Sequence, residues 1–323
     1  MHCSIRLIDE VEQELWDQYI LETSGNPTQL VSYSKLMHGN CFPIFVSIEA
    51  DGRVIFQWLL SVHGKHGFCF LQADSEPTNE DCDCVALAMR TICDKYQPFK
   101  FVFYDLAFSR FANKTLLEHE GFSEIYEYQA NIVDLRQSEE DIFKGIHSKH
   151  RNKIRRAERE GVHFFEGKDI ADVERYYTLS QATYQRTRGK NVEKSVFIEA
   201  YQALHESGNI RFFFVEHDRE VQSAAAIIMS SKRAVYWKGA TKSKEITGSS
   251  NFLHWEIMRL LKREDVSLYD LSGAPTNYEK DSKIEGVIHF KHRFGGVISK
   301  YYGGECVFCS WKSILFDLYK KIL

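Results

Sequence analysis

The segment "GVIHFKHRFGG", residues 286–296, sets Lys291, His292 and Arg293 between Phe290 and Phe294 and ends on two glycines. Phenylalanines four apart share one side of a helix, so the pattern suits a helix end with basic residues in its last turn and Gly295 as a left-handed cap. A lysine beside an aromatic ring can also do chemistry. Desolvation lowers its pKa, and its charge can stabilise an oxyanion or hold a phosphate. Asp270, in "LYDLSG", stands where an apolar run ends. It could orient that lysine, accept a proton, or cap the segment after it. "YQRTRGK" gathers Arg186, Arg188 and Lys190 around a glycine. Guanidinium forks match phosphate oxygens, although an ordinary charged loop has the same composition. Tyr236, in "AVYWKGA", is a ring to stack on a sugar or base, or equally to fill a core.

Two further stretches suit anions. In "TGSSNFLHWE", Gly248, Ser249 and Ser250 open a helix with small residues, a pattern that exposes backbone amides to a phosphate; one of the two serines also reads as the helix N-cap. The densest basic run, "KGIHSKHRNKIRRAER", carries Lys153, Arg155 and Arg156, and its acids come only at the end. Ile142, Ile146, Ile154 and Ala157 keep one stripe apolar, so the run predicts a packed helix with a positive outer face that attracts polyanions; a merely solvated face is the plain alternative.

These residues need elements to position them. In the first half, a helix ends near Gly25, and Asp51-Gly52 between two apolar runs predicts a hairpin. A strand "HGFCFLQ", a helix near 83–94, a strand "FKFVFYDL", a helix near 111–120 and a strand "EIYEYQANIVDL" follow. In the second half, one long helix covers about 139–160, then helices about 171–186 and 195–207. Three strands joined by tight turns come next, then a helix from about 251 to 263 and the strand "VSLYDL". "APTNYEKDSKIEG" reads partly as a mobile flap. The expected fold is α+β, with mixed sheets flanked by helices.

Taken together, "KHRNKIRRAEREGV", "GSSNFLHWEIMRLLKREDVSLYDLSGA" and "HFKHRFGG" resemble the FemABX-type aminoacyltransferases and their relatives with a BioF2-like acetyltransferase domain. The likeness spans roughly residues 128–304. It implies two tandem GNAT-like (N-acetyltransferase-like) domains with the acceptor in a cleft at their interface. Residues 1–138 would form a degenerate first domain, 139–298 the second, and 299–323 a tail packing back on the first. It also implies transfer of an activated acyl group, in the best-known members an amino acid carried by tRNA, to an amine of a cell-wall precursor. Lys291 falls on the family's functional lysine position. Lys291 and Asp270 are then the catalytic candidates. Arg186, Arg188, Tyr236 and Phe290 are candidates for the acceptor, and Gly248, Ser249, Ser250, Lys153, Arg155 and Arg156 for the donor or its phosphates. The Arg/Gln-x-x-Gly-x-Gly/Ala loop of acetyl-CoA-dependent GNAT enzymes keeps only Gly248 here, which favours aminoacyl-tRNA over acyl-CoA as donor. No cofactor is expected to bind tightly.

Bulk composition is that of an ordinary folded protein: 323 residues, 44% hydrophobic, 27% charged, with a formal charge of −4. That charge excludes an overall basic, DNA-binding character. No stretch reaches the ~20 apolar residues of a membrane span, with peripheral membrane contact left open; the scattered cysteines, read as reduced, make a cytoplasmic chain the expectation. The eight cysteines read mostly as thiols. A zinc site usually takes two cysteine pairs, and of Cys82/Cys84 and Cys306/Cys309 only the second has the usual x2 spacing, so no metal is expected. The expected acceptor is an amine on a sugar nucleotide or envelope precursor, with tRNA as a further partner. Two alternatives stand beside this: an acetyl-CoA-dependent N-acetyltransferase acting on an amino sugar or polysaccharide precursor, and a non-catalytic module that binds RNA or an anionic polymer.

Overall fold

The computed structural model describes residues 3–7, 13–22, 30–31, 42–63, 66–73, 79–98, 100–104, 114, 118, 124–189 and 191–307. Lys190, most of the helix expected near 111–120, and residues 308–323 of the expected tail, Cys309 included, lie outside these. The chain divides into two compact units. One comprises Met1–Gln129, Pro275–Asn277 and Lys300–Leu323, the other Ala130–Ala274 and Tyr278–Ser299.

The first unit holds strands β1 (Cys3–Leu7), β2 (Phe42–Ala50), β3 (Arg53–His63), β4 (His66–Ala73) and β5 (Lys100–Tyr104), with helices α1 (Gln13–Glu22) and α2 (Asn79–Tyr96). Its strand order is β1-β2-β3-β4-β5-β12, where β12 is Val297–Val307, entering this unit at Lys300. β4 and β5 are parallel and the other pairs antiparallel, so the sheet is mixed. Asp51 and Gly52, at φ 50° and 79°, make the β2–β3 turn, the left-handed pair a tight hairpin requires. Trp16, Ile20, Val46 and Ile48 are fully buried in its core. Buried Lys100 pairs with Glu305 at 2.6 Å. Cys84, expected as a thiol, is disulfide-bonded, whereas Cys306 is free and half-buried.

The second unit positions the site. Its strands run β6-β11-β10-β9-β8-β7. They are β6 (Glu124–Asp134, entering at Ala130), β7 (His163–Glu166), β8 (Ile210–His217), β9 (Glu220–Met229), β10 (Arg233–Thr241) and β11 (Leu268–Pro275). β7 through β10 form an antiparallel meander, and β10 and β11 pair in parallel. The helices are α3 (Glu139–Gly145), α4 (Ser148–Arg159), α5 (Ile170–Arg186), α6 (Lys194–Leu204), α7 (Ser249–Arg263) and α8 (Lys283–His292).

β8 shows why the sheet carries helices on both faces. Side chains alternate along a strand, so a run of three phenylalanines must be covered twice. Phe212 meets Tyr176 of α5 edge-on at 5.1 Å, while Phe213 lies in the opposite core with Ile154 of α4 and Leu253, Ile257 and Leu261 of α7.

Four sequence expectations are corrected here. The long helix over 139–160 is two helices, because Ile146 adopts an extended backbone and His147 caps α4, its Nδ1 accepting from the Lys149 N–H. Strand β7 was not foreseen. The flap expected within "APTNYEKDSKIEG" shortens to the connection of residues 276–282, because Ala274-Pro275 end β11 and Lys283–Gly286 begin α8. Neither serine caps α7. Gly248 does, at φ 99°. Among the described residues, no helix is long and apolar enough to cross a membrane.

Candidate active site

The paired register of β10 and β11 ends at Val235–Asp270. Immediately beyond it, β10 bulges between Tyr236 and Lys238, and Ser272 of β11 takes φ 65°, a left-handed conformation that a β-carbon disfavours. Lys291 of α8 reaches into this place. Its Nζ donates to the Ser272 carbonyl at 3.3 Å and lies 5.8 Å from the centre of the Tyr236 ring, within range of a cation–π contact. Burial lowers the Lys291 pKa to about 8; Asp270 opposes the shift and Lys238 adds to it. Lys238 is itself lowered by burial.

Asp270 is fully buried. One oxygen accepts from Arg233 Nη2 at 2.5 Å, and the other accepts from the Ser272 N–H at 2.7 Å. Of the three readings of this carboxylate, these contacts match the cap of the following segment; its hydrogen-bonded link to Lys291 runs through Ser272, beside the direct effect of its charge.

Beneath the lysine lies an aromatic layer that sequence reasoning largely missed. Phe290 and Phe294 meet edge-on at 5.1 Å, and His150 of α4 and His254 of α7 pack on both. His254 also meets Tyr236 edge-on at 4.6 Å, and its Nδ1 shares a hydrogen bond of 2.8 Å with the Tyr269 hydroxyl. Burial, with the Lys291 charge second, pushes the His254 pKa down to about 3; burial pushes His150 to about 4. Both rings are therefore neutral near pH 7. Burial also holds the Tyr236 phenol well above its ordinary value. A histidine on an apolar helix face was the one sequence signal that could have found this layer.

The glycine pair answers to close packing. Both glycines are left-handed, at φ 78° and 87°. A β-carbon on Gly296 would stand 2.3 Å from the Ile132 carbonyl oxygen, and one on Gly295 would stand 2.7 Å from that of Gly145. Buried Asn131 completes the clamp, its Nδ2 donating to the carbonyls of Lys291 at 2.9 Å and Gly295 at 2.7 Å. Phe290 and Phe294 anchor α8, as their spacing predicts.

The remaining candidates lie around this centre. Arg186 Nη2 donates to the carbonyl and hydroxyl oxygens of Thr241, each at 3.0 Å, so its fork is tied to the end of β10. Arg188 is exposed at φ 51°. At the start of α7, Gly248 is buried and its β-carbon would stand 2.2 Å from the Lys153 carbonyl oxygen. The Ser249 hydroxyl donates to Ile246 and that of Ser250 to the Glu245 carboxylate, both at 2.8 Å. Burial raises the Glu245 pKa. A carboxylate thus stands at the helix end where a phosphate was expected. Lys153, Arg155 and Arg156 are exposed on α4; Arg155 lies over the Phe143 ring at 5.3 Å and Arg156 reaches Glu160 at 3.4 Å.

Residues 147–280 match the acetyltransferase (GNAT) domain family. No curated protein matches the sequence. Among solved structures, FemX aligns over 97% of this chain and 99% of its own, with a TM-score of 0.75 at 14% identity. The L-PGS structure from Bacillus licheniformis aligns over 92% and 91%, with 0.57 at 14%. A tandem GNAT protein from the clavulanic acid biosynthesis pathway aligns over 95% and 98%, with 0.54 at 10%. At these identities the likeness is one of fold: the chain has the tandem GNAT-like, α+β architecture, and residues 147–280 are the part of it that resembles the GNAT domain family.

Proposed function

We propose that this GNAT-fold chain is an acyltransferase that moves an aminoacyl group from aminoacyl-tRNA to an amine of a phosphate-bearing envelope precursor or sugar nucleotide, with Lys291 serving the reacting centre. The observation that carries this reading is the half-buried Lys291 ammonium standing where β10 and β11 part. In aminolysis a neutral amine attacks the ester carbonyl and the carbonyl oxygen becomes an oxyanion. The ester C–O bond then breaks, and the proton lost by the amine ends on the departing hydroxyl. A fixed cation in a poorly hydrated place stabilises that oxyanion far better than one in water. The same charge suits an acceptor phosphate.

Two features support tRNA as donor. The exposed cations of α4 present a positive face to a polyanion. The N-terminus of α7 is closed by Gly248 against α4 and faces the Glu245 carboxylate, which opposes a coenzyme A pyrophosphate there. Acetyl-CoA-dependent N-acetylation of an amino sugar is the second reading, favoured by the GNAT family match over residues 147–280.

Incubation with aminoacyl-tRNA, acetyl-CoA and amino-sugar nucleotides separates these readings by mass spectrometry of the acceptor. The expected gain is that of an aminoacyl residue. An acetyl gain selects the second reading, and no gain from either donor overturns acyl transfer and leaves a binding module.

A further inference from the structure

Lys291 has an address for its ammonium that is set from another element. Ser272 is a non-glycine residue at φ 65° inside a strand, a conformation that a β-carbon disfavours. It persists only if the surroundings impose it. Here the imposing contact is the Asp270 carboxylate, which takes the Ser272 N–H at 2.7 Å and is itself gripped by Arg233 at 2.5 Å. Both partners of that ion pair are buried, Asp270 at 0% and Arg233 at 2% exposure. A buried pair of this kind is weak as a source of stability, since desolvation offsets the attraction, but it fixes geometry. The Ser272 carbonyl is then the acceptor of Lys291 Nζ. From the other side Asn131 holds the Lys291 carbonyl, so the residue is braced at both ends.

We propose that Arg233 and Asp270 are positioning residues: through the left-handed backbone of Ser272 they aim a carbonyl that holds the Lys291 side chain at the mouth between β10 and β11. This rests on the reading of Lys291 as the working group, and it replaces proton acceptance as the role of Asp270. The ionisable groups around the lysine are Asp270 and Lys238 from the strands, Tyr236 from β10, His254 from α7 and His292 beside it on α8.

The test needs no substrate, so it is separate from the acyl-transfer reading. The rate at which acetic anhydride acylates Lys291, read on its peptide by mass spectrometry as a function of pH, reports the midpoint of that amine. Ser272→Gly accepts a positive φ without cost and keeps the carbonyl, so its midpoint is expected to equal that of the unaltered protein. Ser272→Val disfavours the conformation and is expected to move the midpoint by at least half a unit, downward if the lysine stays buried without its acceptor and upward if it is released to water. Asp270→Leu combined with Arg233→Met removes both charges together, leaving no unpaired buried ion, and is expected to fold and to shift the midpoint as Ser272→Val does. If the valine variant and the double variant both fold, judged by thermal unfolding, and leave the midpoint in place, the ion pair is structural only. A glycine variant that shifts as far as the valine variant overturns the proposal as well. If the valine and double variants do not fold, Arg233→Lys, which keeps a buried cation beside Asp270 but loses the guanidinium grip, is read instead: a shifted midpoint supports the proposal and an unchanged one overturns it.

Discussion

At the scale of single residues, everything turns on one lysine whose surroundings lower its pKa to about 8. If Lys291 works as a cation, its contribution is complete below pH 8 and fades as pH rises through that value. Arginine keeps its charge throughout, so the rate of the native enzyme relative to Lys291→Arg is expected to fall between pH 7 and 9, measured at saturating substrate. A lysine acting as a neutral base gives the opposite slope. Lys291→Met keeps the stem and removes the charge; turnover is expected to fall about 10²–10³-fold if the charge stabilises the oxyanion. If it holds an acceptor phosphate instead, the loss falls mainly on KM. Normal kinetics for the methionine variant would return Lys291 to an ordinary helix end.

At the scale of elements, α4 serves two masters. Its inner stripe, Ile154 and Ala157 with the His150 ring, is buried against α7 and α8, and its outer face carries Lys153, Arg155 and Arg156 in solvent. Replacing these three with glutamate touches little packing beyond the Arg155–Phe143 contact, so each change is expected to cost less than about half a kcal/mol of stability. The binding of tRNA, followed by filter retention across a salt series, is expected to weaken and to lose about 0.7–0.9 of salt slope for each phosphate contact removed. Unchanged binding at low salt would mean that this helix face is merely solvated.

At the scale of the whole molecule, the buried neutral histidines tie stability to pH. The pKa of His254 is about 3 and that of His150 about 4 in the folded protein, against ~6.5 for an unfolded histidine. Between those values the unfolded chain binds more protons, so stability rises with pH in that window and is lost as pH falls from about 6.5. His254 alone contributes a loss of about 2 kcal/mol at pH 5 by this linkage. The melting temperature is therefore expected to drop between pH 7 and pH 5, and to drop less in His254→Asn, which can still bond the Tyr269 hydroxyl but does not titrate. An equal drop in the variant would assign the acid sensitivity to other groups.

What the sequence determined by itself is what short-range physics controls. The spacing of Phe290 and Phe294, the Asp51-Gly52 hairpin, the meander from 210 to 241 and the positive outer face of the basic helix all follow from side chains within a few residues of one another. The α+β architecture of mixed sheets flanked by helices was legible for the same reason, as an order of such elements. Tertiary structure decided whatever depends on a distant partner. Ile142, Ile146, His150 and Ile154 recur at helical spacing straight through the break between α3 and α4, so no local pattern marks it; the His147 N–H instead bonds the Arg293 carbonyl at 2.8 Å, far along the chain. The site's support was hidden likewise. Asn131 clamps a carbonyl 160 positions away, and Arg233 meets Asp270 across 37. Nothing in a residue's near neighbours announces such a bond, because its energy is realised only when the packed sheet and helices bring both ends together.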